Sequence, residues 1–125
     1  MLYDINGVVI DATDELLTLF HYTDEAGQRG ILDSKSLRSS LRSNNPNDAR
    51  YGDGAYLSDI QPGTRPQSSL SQVFVNMPFH GKRFTHYVEI DISNLAVTQG
   101  RPHVFVVLGT APLNLDGRIK DWGVN

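Results

Sequence analysis

The chain has 125 residues and a formal net charge of −3 from 11 basic and 14 acidic side chains, so one domain is expected and no general positive field draws nucleic acid to it. Hydrophobic residues at 39% and charged residues at 20% exclude wholesale disorder, and apolar runs of a few residues exclude a membrane-spanning helix. The lack of cysteine excludes disulfides, thiolate metal sites and a cysteine nucleophile.

Met1 is followed by Leu2, Tyr3 and Asp4 rather than by a basic start and an apolar core, so no signal peptide is expected. Asp4 to Asp14 alternates apolar and polar residues around Asn6-Gly7, the pattern of a short hairpin. Residues 1–15 are therefore read as a lead-in, and residues 16–125 as the domain proper. Leu17, Leu19 and Phe20-His21 suit a buried strand ending near Thr23. Thr23 or Asp24 caps a short helix with Glu25 in its first turn and Ala26, Ile31 and Leu32 on one face. Arg42 to Gly54, rich in Asn, Asp and Ser, reads as a loop. A strand is expected over Ala55 to Ile60, and a helix over Ser68 to Met77 with Leu70, Val73, Phe74 and Met77 on its face. Phe84 to Ile92 alternates, with Tyr87, Glu89 and Asp91 facing one way and Val88, Ile90 and Ile92 the other. His103 to Leu108 is an apolar run of the buried-strand type, with Leu113 to Ile119 as its expected partner. Strands outnumber helices without alternating regularly, which makes the class α+β.

His21, His80, His86 and His103 are scattered without metal-ligand spacing, so a metal site is not expected. Tyr51-Gly52-Asp53-Gly54-Ala55-Tyr56 allows a tight turn and close backbone approach to a ligand. It is not a dinucleotide fingerprint, since no third glycine and no helix follow. Taken alone, it reads first as a plain loop-to-strand turn with Tyr56 as a half-buried strand aromatic. No Gly-x-Ser-x-Gly elbow or phosphate-loop lysine is present.

The order of the pieces is more telling. Leu19-Phe20-His21-Tyr22-Thr23 ends a strand, and Arg29-Gly30-Ile31-Leu32 lies in the helix after it. Leu37-Arg38, the Gly52-Asp53-Gly54-Ala55-Tyr56 segment and a helix with Ser69, Ser71 and Phe74 follow. This order resembles the diphtheria-toxin and poly(ADP-ribose) polymerase branch of the ADP-ribosyltransferases, and more closely the toxin family with the His-Tyr-Asp signature, from about Leu17 to Ile119. The resemblance implies a split β-sandwich of two small sheets with short helices. It also implies NAD as substrate and no metal. His21 would then hydrogen-bond the adenosine ribose, and Tyr22 would offer its backbone to the nicotinamide amide. Tyr56 and Phe74 would cover the two faces of the nicotinamide ring, Ser71 would hold its carboxamide, and Arg38 would reach the adenosine half or the pyrophosphate. Gly54 would admit NAD close to the backbone.

One departure stands out. The polymerase branch carries a glutamate at the start of a late strand, where this chain has Gly100-Arg101-Pro102-His103. His103 or a neighbour occupies that place, and Asp59 is the expected third catalytic residue beside His21 and Tyr56. Glu89 and Asp91 are rivals that read equally as solvated strand residues. By resemblance, the activity is mono-ADP-ribosyl transfer to a protein or nucleic acid of a target cell. The setting would be a secreted or delivered effector, acting as a monomer in the target-cell cytoplasm and neutralised by a cognate immunity protein. An NAD glycohydrolase, an RNA 2′-phosphotransferase and a non-catalytic NAD- or ADP-ribose-binding module are the alternatives.

Overall fold

Thr18–Thr23 forms a strand buried on both faces, and the fold is arranged around it. The computed structural model describes residues 1–11, 17–44, 46 and 48–125; Asp14 and the expected domain start at Leu16 lie outside the described residues. The elements are β1 (Leu2–Tyr3), β2 (Val9–Asp11), β3 (Thr18–Thr23), α1 (Glu25–Ser34), β4 (Ser36–Leu37) and β5 (Gly54–Leu57). After them come α2 (Gln67–Val75), a 3-10 helix (Pro78–Arg83), β6 (His86–Asp91), β7 (Val97–Arg101), β8 (Val104–Leu108), β9 (Leu113–Asn114) and β10 (Ile119–Val124). The class is α+β. The chain exposes 6864 Å², close to the roughly 6,700 Å² that its mass implies.

Two sheets face each other. One has the order β2-β1-β7-β8-β5 and the other β10-β6-β3, while β4 and β9 form a separate pair. Leu19, Val88 and Ile90 of the second sheet meet Ala55, Leu57, Val97 and Phe105 of the first in one buried core, which Ile31 of α1 joins. On the other face of β3, Phe20 and Tyr22 pack with Leu70, Val75, Ile60 and Phe84 under α2. A strand covered on both faces carries apolar residues at successive positions, which is why Leu19-Phe20 reads as a run rather than an alternation.

Asp24 is the N-cap of α1, its Oδ1 accepting from the Gly27 N–H at 2.7 Å. The buried residues of α1 are Gln28 and Ile31 rather than the expected Ala26, Ile31 and Leu32. Gln28 is inside because its amide donates to the carbonyls of Tyr87 and Gly123, joining α1 to β6 and β10. The hairpin at Asn6-Gly7 is present, and β1 continues into the first sheet by pairing in parallel with β7.

The expected pairing of His103–Leu108 with Leu113–Ile119 is corrected. β8 pairs with β5 and β7, β9 pairs with β4, and β10 pairs with β6. Four residues, Gly109 to Pro112, separate β8 from β9 and carry the chain away from the sheet, so sequence proximity does not become pairing. The strand expected to run to Ile60 ends at Leu57. Beyond it, Ser58 leaves β8 and bridges to Phe20.

Candidate active site

β3 and β5 meet at one bridge. Phe20 N–H donates to Ser58 O at 2.8 Å, and Ser58 N–H to Phe20 O at 2.7 Å. A continued antiparallel ladder would next pair Tyr22 with Tyr56. Instead His21 Nδ1 lies 2.8 Å from the Tyr56 carbonyl oxygen, so an imidazole takes the acceptor that the Tyr22 N–H would have used. The sheets splay at this point. By the alternation of the strand, the Tyr22 N–H and C=O aim into the gap, with no backbone partner there among the described residues.

A cavity of about 830 Å³ occupies the gap, within the range of small-molecule sites. His21, Tyr22, Tyr56, Ser58 and Arg38 line it, with Phe20, Phe74 and Phe84 along an aromatic wall. The Tyr22 and Phe74 rings are 5.6 Å apart, and Phe74 meets Phe84 edge-on at 5.2 Å. Along α1 the wall is Ala26, Gly27, Gly30, Ile31 and Ser34, with open space where a Cβ at Gly30 would stand.

A carbonyl only accepts, so His21 carries its proton on Nδ1 and presents Nε2 as an acceptor. Burial lowers the His21 pKa below 6.5, against a smaller opposing effect of the bond to Tyr56; the ring is therefore neutral near pH 7. Tyr22 donates its hydroxyl to the Ile60 carbonyl at 2.7 Å, and burial holds its pKa well above the usual tyrosine value. Arg38 is exposed at the cavity wall, and no acidic side chain pairs with it among the described residues.

Tyr56 contributes its carbonyl to His21, while its hydroxyl donates to Gly52 O at 2.8 Å and accepts from Tyr51 N–H at 2.9 Å. The phenol thereby ties down the loop before β5, and burial is the main cause of its raised pKa.

Other residues singled out in the sequence stand apart from the cavity. Gly54 packs against β8, where an added Cβ would come within 2.5 Å of the Val107 carbonyl. Ser71 is fully buried and donates to the Met77 carbonyl, joining α2 to the turn after it. Asp59 and His103 lie across from one another at the ends of β5 and β8, with Asp59 Oδ1 2.7 Å from His103 Nδ1. Arg65 Nη2 is 3.4 Å from the other imidazole nitrogen. Asp59 and His103 do not line the cavity, but their neighbours Ser58 and Val104 do. His103 holds φ at 68°, in a turn after Pro102 where glycine or asparagine is favoured. Glu89 accepts from the Thr18 hydroxyl at 2.8 Å, and Asp91 accepts from the Ser93 N–H at 2.8 Å with Lys120 3.8 Å away. Both carboxylates are committed within the second sheet. Bonding to Ser93 is the main cause of the lowered Asp91 pKa.

Sequence reading missed Phe84 and the pair Asp48 and Arg83, all of which line the cavity. Arg83 and Asp48 are 35 positions apart, so no local spacing announces them. Among the described residues, no three His, Asp or Glu side chains gather as a metal site, and no helix is long and apolar enough to cross a membrane.

A family model described as the HYD1 signature containing ADP-ribosyltransferase matches residues 19–119. The chain belongs to this ADP-ribosyltransferase toxin-domain family. The match begins in β3 and ends at the start of β10, leaving out β1 and β2, and it takes in every residue that lines the cavity. No curated protein and no solved structure matches the chain.

Proposed function

We propose that the chain binds NAD in the cavity beside β3, breaks the nicotinamide–ribose bond and transfers ADP-ribose to a protein or nucleic acid. The observation that carries this reading is the free edge of Tyr22. An N–H and a C=O side by side match a carboxamide, which needs one acceptor for its NH₂ and one donor for its carbonyl. Tyr22 and Phe74 supply apolar and aromatic surface for the nicotinamide ring. His21 accepts a ribose hydroxyl at Nε2, and Arg38 attracts the pyrophosphate.

Bond cleavage develops positive charge on the nicotinamide ribose. Asp59, oriented by His103, is the carboxylate that stabilises this charge, and His21 holds the ribose in its reactive pose. The nicotinamide nitrogen keeps the bonding electrons as the base leaves, and a nucleophile of the acceptor, or water, then attacks C1′ of the ribose. Without a glutamate at the late strand, transfer stops at single units. Residues 1–15 serve as a lead-in to the catalytic region 16–125. The domain works as a monomeric, secreted or delivered effector in the target-cell cytoplasm, restrained elsewhere by an immunity protein.

That Asp59 lies outside the cavity wall favours a second reading, a binding module for NAD or ADP-ribose without turnover. The test is incubation with adenylate-labelled NAD, with and without a cell lysate. Nicotinamide release with label on macromolecules supports transfer, and nuclease or protease treatment then identifies the acceptor class. Release without transfer favours the glycohydrolase, whereas binding without release favours the module.

A further inference from the structure

Two charged residues of the cavity wall already hold each other. Arg83 Nη2 lies 2.7 Å from Asp48 Oδ2, and Nη1 lies 3.2 Å from Oδ1. This two-point pair joins the loop before β5 to the end of the 3-10 helix, and both residues line the cavity. Each is anchored by a buried neighbour, Ala49 at 0% exposure and Phe84 at 7%. The Arg83 guanidinium also lies over the Phe84 ring, 5.3 Å from its centre. The contact is therefore held from both ends.

We propose that the Asp48–Arg83 pair is a latch on the cavity, opened by a substrate phosphate that takes Arg83 from Asp48. A guanidinium binds a phosphate with the same two-point geometry as a carboxylate. Exchange therefore replaces the two hydrogen bonds to Asp48 by two to the phosphate, and the Asp48 carboxylate returns to water. Arg38, without an ion-pair partner among the described residues, offers an attachment that does not require this exchange. Asp48 is then a competitor that holds Arg83 in place until the phosphate arrives, and Arg83 is a positioning residue for the phosphate-bearing half of the substrate. Phe84 keeps the guanidinium at the wall after Asp48 lets go.

The proposal rests on the NAD reading, and the experiment separates the two. Calorimetric titration with ADP-ribose, NAD and nicotinamide is run on the wild-type chain and on Asp48→Asn, Arg83→Gln, Arg83→Lys and the double variant Asp48→Asn/Arg83→Gln. Thermal denaturation shows that each variant is folded. Asp48→Asn should bind ADP-ribose several-fold more tightly, since the competing charge is gone. Arg83→Gln should bind it about tenfold more weakly, the size of one lost charged hydrogen-bond pair, and Arg83→Lys should recover part of the loss. Nicotinamide affinity should not change. In the double variant, the effect of Asp48→Asn should vanish, because no guanidinium remains to be released. Weaker or unchanged ADP-ribose binding by folded Asp48→Asn overturns the latch alone, as does an Asp48 effect that persists without Arg83. A wild-type chain that binds neither NAD nor ADP-ribose overturns the NAD reading and the latch together.

Discussion

His21 Nδ1 stands 2.8 Å from the Tyr56 carbonyl oxygen, at the place where a continued sheet would put the Tyr22 N–H. One side-chain hydrogen bond thus substitutes for one rung of the ladder. It fixes the imidazole tautomer and also releases the Tyr22 backbone for a ligand.

The first prediction concerns pH. Burial lowers the His21 pKa below 6.5, so the unfolded chain takes up this proton before the folded chain does. Stability contributed by the neutral ring is present above about pH 6.5 and is lost as pH falls through the lower folded value. His21→Gln cannot titrate and should lose less stability than wild type between pH 7 and pH 5, as measured by denaturant unfolding. The acid limb of nicotinamide release should have its midpoint below pH 6.5 in the wild-type chain, because a protonated Nε2 cannot accept from a ribose hydroxyl.

Tyr56→Phe tests whether the tyrosine acts through its carbonyl or its hydroxyl. The variant keeps the carbonyl that holds His21 but removes the hydroxyl that joins Tyr51 and Gly52. Stability should fall by about 1–2 kcal/mol, while nicotinamide release stays within about tenfold of wild type, short of the roughly hundredfold expected for lost positioning. Urea unfolding and steady-state turnover separate the two effects.

The carboxylates divide by their partners. Asp59→Asn should lower kcat by about a hundredfold or more, as removal of a charge-stabilising group does. Glu89→Gln and Asp91→Asn should leave turnover near wild type, since those groups are committed to Thr18 and to Ser93 and Lys120. His103→Gly is the finer test. It relieves the positive φ at this residue and removes the partner of Asp59, so the chain should unfold no more easily while kcat falls and KM for NAD stays. Equal loss of kcat in all three carboxylate variants would remove Asp59 from its role.

Gly54→Ala and Ser71→Ala should act on the fold. A methyl group at Gly54 meets the Val107 carbonyl and the Val106 side chain, a clash of the kind that costs about 1–3 kcal/mol. Ser71→Ala removes the donor to the half-buried Met77 carbonyl, again at about 1–3 kcal/mol. KM for NAD should move little in either variant. A raised KM with unchanged stability in Ser71→Ala would restore the carboxamide role that the sequence resemblance assigns to this serine.

The strand carrying His21 and Tyr22 is legible as an apolar run, α1 by its Asp24 cap, α2 by its spaced apolar residues and β6 by its alternation. β7 leaves no such signal: of Val97-Thr98-Gln99-Gly100-Arg101 only Val97 is buried, and Gly100 is the floor on which the Tyr51 ring packs. β10 lies at a sheet edge with Lys120, Asp121 and Trp122 exposed, so it reads as surface rather than strand. In the candidate site, His21, Tyr22, Arg38, Tyr56 and Phe74 come together on the cavity wall, and their order along the chain points to them. The Asp59–His103 bond and the Asp48–Arg83 pair join positions 44 and 35 residues apart. Such contacts follow from pairing and loop closure, which spacing in the chain does not encode.

The most direct test of the account is release of free nicotinamide from NAD by the wild-type chain and by His21→Ala, with both shown to be folded. Wild type should release nicotinamide, with a loss of about a hundredfold or more in the variant, because the ribose is no longer held for cleavage. Equal release from the two proteins, or none from either, would contradict it.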